Sequence, residues 1–139
     1  MFERSEIPLI TAVDKMGGWA PGLRRGPFVY ISGVVGSLDG TIVEGGAGPQ
    51  ARQALNNLLG RLEKLGATAQ DVVRTRVYVA SMDDTAAVAA EHLRVFGEYP
   101  PSCGAVVEVA GLYGGALIEI ECDALIDDEA PALSAPVTL

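Results

Sequence analysis

Ala116-Leu-Ile-Glu-Ile-Glu-Cys-Asp-Ala-Leu-Ile126 alternates residue by residue. Ile118, Ile120, Cys122 and Ala124 share one face; Leu117, Glu119, Glu121 and Asp123 share the other. A period of two predicts a half-buried β-strand whose apolar face meets a core. Successive carboxylates on the opposite face stand about 6.5–7 Å apart, two residues of strand rise. A row of like charges must face either water or a site.

The stretches around this strand supply its partners. Val72 to Ala80 reads as a second strand, with Val73, Thr75, Val77 and Val79 on one face and Arg74, Arg76 and Tyr78 on the other. Between Pro49 and Leu65, Ala51, Ala54, Leu55, Leu58, Leu62 and Leu65 recur at helical spacing, with Pro49 in the first turn and Gly66 just past the end. Ser81 followed by Asp84 has the spacing of a capping box. It opens a second helix through Ala87, Val88, Ala90, Leu93 and Phe96, ended by Gly97 and Pro100-Pro101. Ile7 to Val13 could form an edge strand, Phe28 to Gly33 a strand, and Ala105 to Val109 another. Gly17 to Gly22 reads as a loop holding the only tryptophan, Trp19, and Asp39-Gly40 as a hairpin turn.

That order predicts an α+β fold, a mixed sheet with two helices packed on one face. The expected domain is 1–126, followed by a loosely ordered tail at 127–139. A bare sheet face that is half apolar predicts a homo-oligomer with sites at subunit seams.

Composition narrows the function. The chain has 139 residues, 49% hydrophobic and 20% charged, which suits one globular domain. A net charge of −8 argues against a nucleic-acid surface, despite Arg24-Arg25. No apolar run reaches the roughly 18 residues of a membrane span. Two cysteines and an N-terminus without a basic-then-apolar layout make the cytoplasm the expected location. One histidine, His92, read as a helix-surface residue, is too few for a metal site, and no phosphate-cradling glycine pattern occurs, so no metal or cofactor is expected.

Gln50-Ala-Arg-Gln-Ala-Leu-Asn-Asn57, Arg74-Thr-Arg-Val-Tyr-Val79, Val107-Glu-Val-Ala-Gly-Leu112 and Ile118-Glu-Ile-Glu121 together resemble the RidA/YjgF (Rid) family, from about Gly17 to Ile126. The resemblance implies a chorismate-mutase-like fold, assembly as a trimeric barrel with a site in each subunit cleft, and hydrolysis of reactive enamines and imines to ketone and ammonia. In that chemistry an arginine clamps the substrate carboxylate and a glutamate positions or activates water. By the same resemblance, Glu121 falls at the cleft glutamate, Ser32 and Gly33 border the cleft, and Trp19 stands where a tyrosine is usual. The carboxylate-binding arginine is missing: Gly104 falls at its position, and Pro100-Pro-Ser-Cys-Gly-Ala105 contains no arginine. Ala89 stands for a cleft asparagine. The resemblance therefore implies an arginine-lacking branch acting on an imine or enamine without a carboxylate at the usual place. The alternative is a non-catalytic, ligand-binding or chaperone-like trimer.

Each candidate also has a structural reading. Glu121 could pair with Arg74 or Arg76, whereas Glu119 is read as structural, tying down an adjacent strand or subunit. Trp19 could wall a pocket or pack at a subunit seam. Cys103 as a nucleophile would need a base or cation beside it, so it is read as shaping the pocket with Gly104, while Cys122 belongs to the core. Arg24 or Arg25 from a neighbouring subunit could replace the missing clamp.

Overall fold

Leu55, Leu58 and Leu62 occupy successive turns of one helix face, and all three are fully buried. They belong to helix α2 (Ala47–Lys64), against which the sheet is built. The computed structural model describes residues 2–127, so residues 128–139 of the tail read from the sequence lie outside the described residues. The elements are β1 (Arg4–Glu6), α1 (Ala12–Gly17), β2 (Gly22–Arg25), β3 (Phe28–Val35), β4 (Ser37–Leu38), β5 (Thr41–Ile42), α2, β6 (Val72–Val79), α3 (Thr85–Phe96), β7 (Cys103–Glu108) and β8 (Ile118–Leu125).

Six strands form one sheet in the order β1-β2-β3-β8-β6-β7. All neighbours are antiparallel except β6 and β7. The organising strand β8 lies between β3 and β6, and Ile118, Ile120, Cys122 and Ala124 are buried as its alternation requires. The fold is α+β, with α2 and α3 packed together over the apolar face of the mixed sheet. Asp39 and Gly40 both have positive φ, 51° and 81°, as a two-residue hairpin turn between β4 and β5 demands. Helix α2 ends at Gly66, whose φ of 80° lets its N–H and that of Ala67 return to the carbonyls of Glu63 and Leu62.

Four local expectations are corrected. Ile7 to Val13 is not a strand: the edge strand is Arg4–Glu6, and Thr11 caps α1 in a reciprocal box with Asp14. Gly22 belongs to a strand, since Gly22–Arg25 pairs with both β1 and β3. In β6 the register against β8 shifts between Val72 and Arg74, so Val72 is buried (6% exposed) and Val73 faces out (47%). Ser81 accepts from the Asp83 N–H of a short 3₁₀ turn, so it caps that turn, and α3 starts only at Thr85.

Two glycines test the packing with opposite signs. Gly36 lies against the start of α2, where a Cβ would fall 2.6 Å from the Gln50 Cα. Gln50 cannot yield, because its buried side chain accepts the Leu117 N–H and ties helix to sheet. Gly60 lies inside α2 with open space where a Cβ would point. Gly36→Ala is expected to destabilise by roughly 1–3 kcal/mol. Gly60→Ala should stabilise by about 0.8–1 kcal/mol by raising helix propensity. Thermal midpoints at one protein concentration check both, and the same sign for both would contradict this packing.

Candidate functional site

The candidate residues fall into two separate groups. The first lies around the outward face of β8. There Glu119, Glu121 and Asp123 sit opposite Tyr78, Arg76 and Arg74 of β6. Sheet twist makes the actual contacts diagonal. Tyr78 Oη donates to Glu121 Oε1 at 2.7 Å, and Arg76 forms a forked pair with Asp123 at 3.2 and 3.4 Å. Arg76 also approaches Glu121, at 3.8 Å. The bond to Glu121 raises the Tyr78 phenol above its ordinary value, and that to Asp123 raises the Arg76 guanidinium.

Glu119 is different. Half-buried, it forms no ion pair and no side-chain hydrogen bond among the described residues. Burial, and then the charge of Glu121, push its carboxyl above the usual carboxylate range. It lies against Gly33, where a Cβ would come 2.8 Å from Glu119 Cδ. Gly33 and Ser32 form an irregularity in β3, whose register against β8 shifts between Ile31 and Val34. One extra residue there re-aims the strand and leaves room for the carboxyl.

Trp19 joins this first group through the backbone. Ser32 Oγ donates to the Ala20 carbonyl at 2.6 Å, and the Ser32 N–H donates to that of Pro21. Arg61 of α2 donates to the same Pro21 carbonyl at 3.1 Å. The loop after α1 is thus fastened to the β3 irregularity, and the Trp19 ring lies exposed over Gly17.

The second group lies on the helix face, at the other end of the sheet. Between α3 and β7 is a cavity of about 510 Å³, lined by Thr75, Val77, Val88, Ala89, His92, Leu93, Gly104, Ala105 and Val106. Gly104 pairs with Thr75, and no charged side chain reaches the cavity. Cys103, by contrast, is exposed at the first position of β7, opposite Arg74, and does not line it. Strand β7 ends the sheet, and all six of its residues are exposed.

From β3 to β7 is three strand intervals, roughly 14 Å, and the β8 carboxylates lie on the face of the sheet away from the cavity. One chain therefore cannot close both around one small molecule. Arg24 is engaged elsewhere, donating to the Gly26 and Leu65 carbonyls at 2.8 and 3.1 Å, where it caps the end of α2. Cys122 is buried in the core, its thiol pushed up to about 12 by burial.

His92 corrects the sequence reading. It is a cavity residue, its Nε2 2.9 Å from Thr75 Oγ1 and its ring packed on Phe96. The signal was in the spacing: Val88, His92 and Phe96 lie four apart on one helix face. No group of three His, Cys, Asp or Glu residues among the described residues could hold a metal ion, and no described helix is long and apolar enough to cross a membrane.

The endoribonuclease L-PSP family model matches residues 9–126. The mouse protein named 2-iminobutanoate/2-iminopropanoate deaminase is 35% identical over 126 residues, 88% of this chain and 91% of the relative. The mitochondrial protein mmf1 of Schizosaccharomyces pombe is 35% identical over 115 residues, 81% and 71% of the two chains. A crystal structure of a YjgF/YER057c/UK114 family member from Mycobacterium tuberculosis superposes with a TM-score of 0.78 at 34% identity, covering 89% of this chain and all of that one.

Proposed function

The chain belongs to the RidA/YjgF family, described also as endoribonuclease L-PSP, and from that premise we propose that it hydrolyses or isomerises an imine- or enamine-type metabolite at clefts between copies of itself. Two observations support assembly. The β8 carboxylates and the α3–β7 cavity lie apart on opposite faces of the sheet, and the unpaired edge β7 presents Ala105, Val106 and Val107 to solvent. Such an edge invites coverage by another chain. In a homotrimer, the β7–α3 cavity of one copy would meet Trp19, Ser32, Gly33 and the carboxylates of the next.

The observation that carries the chemistry is the unequal pair on β8. Glu119 holds its proton to higher pH; Glu121 is fixed by Tyr78. In this reading Glu121 orients water toward the C=N carbon and Glu119 moves the proton. Water addition forms the C–O bond and transfers a proton to nitrogen. Collapse of the carbinolamine breaks C–N and leaves carbonyl plus ammonia. A half-buried carboxyl without a polar partner, beside one held in place by a tyrosine, suits such a division of labour.

Specificity departs from the carboxylate-bearing substrates in the mouse relative's name. With Gly104 at the clamp position, this reading places the chain in an arginine-lacking branch. RNA cleavage is not proposed, because the chain carries a net charge of −8. A cytoplasmic location belongs to the proposal and fits two free cysteines, although mmf1 is named as mitochondrial.

The test is turnover of two imine classes generated in situ, with semicarbazide trapping as readout. An amino-acid oxidase supplies 2-imino acids and an amine oxidase acting on benzylamine supplies an uncharged imine. Faster loss of the uncharged imine than of the imino acids is expected. Acceleration of neither would replace the enzymatic reading with that of a ligand-binding trimer.

A further inference from the structure

The geometry points to His92 as the specificity-determining group of the α3–β7 cavity, selecting an uncharged small molecule that has an apolar body and one hydrogen-bonding group. This inference rests on the reading of that cavity as half of the cleft. Its volume of about 510 Å³ lies within the ordinary range for small-ligand sites. Of the residues lining it, only Thr75 and His92 have polar side chains, and none carries a fixed charge. An anion entering there would lose its hydration without gaining a counter-charge. An apolar body meets Val77, Leu93 and Val106, and the missing side chains of Ala89 and Gly104 give it room.

His92 is held for this role from two sides. Thr75, almost fully buried, contacts Nε2 at 2.9 Å, and Phe96 packs on the ring with centroids 4.6 Å apart. Burial lowers the imidazole's affinity for a proton, which favours the uncharged ring at neutral pH. Nδ1 has no hydrogen-bond partner among the described residues. If the Thr75 hydroxyl donates to Nε2, Nδ1 carries the proton and donates to a ligand carbonyl. If the hydroxyl accepts, Nδ1 accepts from a ligand amino group. Either tautomer suits an uncharged polar group.

His92 is the only histidine in the chain, so its imidazole C–H proton resonances report on the cavity without assignment. The full chain is titrated with benzamide and with benzoate, nearly equal in size, one uncharged and the other an anion. Benzamide should move the His92 resonances in a saturable way, and benzoate should not at the same concentration. Equal responses, or none because a neighbouring copy fills the space, would overturn the assignment. A second arm uses the Thr75→Val/His92→Phe double variant, which keeps the ring packing and orphans neither partner. Its affinity for benzamide, read by ligand-observed NMR, should fall roughly two- to tenfold while that for toluene holds. Parallel losses for both probes would mean that His92 is only structural.

These readouts separate the two proposals. Imine turnover without a benzamide response sinks the role of His92 alone. A benzamide response without turnover keeps His92 and removes the enzymatic reading.

Discussion

Gly104→Arg is expected to raise kcat/KM for 2-imino acids by roughly two to four decades. An arginine fork supplies two charge-assisted hydrogen bonds to a carboxylate, each worth about 1.5–3 kcal/mol, at 1.4 kcal/mol per decade. The backbone accepts the change, because Gly104 is not among the glycines with positive φ. A Cβ there meets the Thr75 carbonyl and hydroxyl at 3.3 Å, so β6 must give by only a few tenths of an ångström. The cavity beyond holds no cation that would repel the guanidinium. Gly104→Met controls for bulk and should gain nothing. A folded Gly104→Arg protein without gain would show that the catalytic groups do not converge on this cavity. Efficient turnover of imino acids by the wild type would mean that another cation already supplies the clamp. Arg24 is a poor candidate, since leaving its place would uncap the Leu65 carbonyl.

The contrast between Glu119 and His92 shows where sequence reasoning stops. The alternation of β8 is a property of the strand alone, so its buried residues could be read directly, as could the leucine stripe of α2. Alternation nevertheless makes Glu119 and Glu121 equivalent. They become different through the irregular register at Ser32–Gly33, a relation between strands that are 86 residues apart at Gly33 and Glu119. Likewise, Val72 and Val73 exchange roles because of a bulge that no local pattern announces. β2 was hidden because Gly22-Leu-Arg-Arg25 is short and does not alternate. His92 was legible in principle from its spacing to Val88 and Phe96. It was misplaced because a polar residue on a helix is ordinarily assigned to water, whereas here Thr75 on the sheet gives it a partner.

Glu119→Gln is expected to lower turnover of the natural imine class by about 10²–10⁴, the usual worth of a positioned acid or base. Glu121→Gln should cost less, because an amide can still accept from Tyr78 and hold water. A stability measurement separates function from packing. The Glu119 carboxyl titrates above its ordinary value of 4.5, so between that value and its raised one the folded state holds a proton that the unfolded chain has lost. Stability from this group is therefore complete below about 4.5 and declines as pH rises through the window. Glu119→Gln removes that decline, so its stability relative to wild type should improve from pH 4 to pH 7. His92 slopes the other way: its depressed affinity for protons costs stability as pH falls below its ordinary value of 6.5. Because His92 is present in both proteins, the wild-type-minus-variant difference isolates Glu119. A variant that loses turnover while its relative stability rises with pH carries the signature of a group placed for chemistry at the expense of the fold. Loss of turnover with stability falling at every pH would make Glu119 a structural brace, and the proton would have to be moved by Glu121.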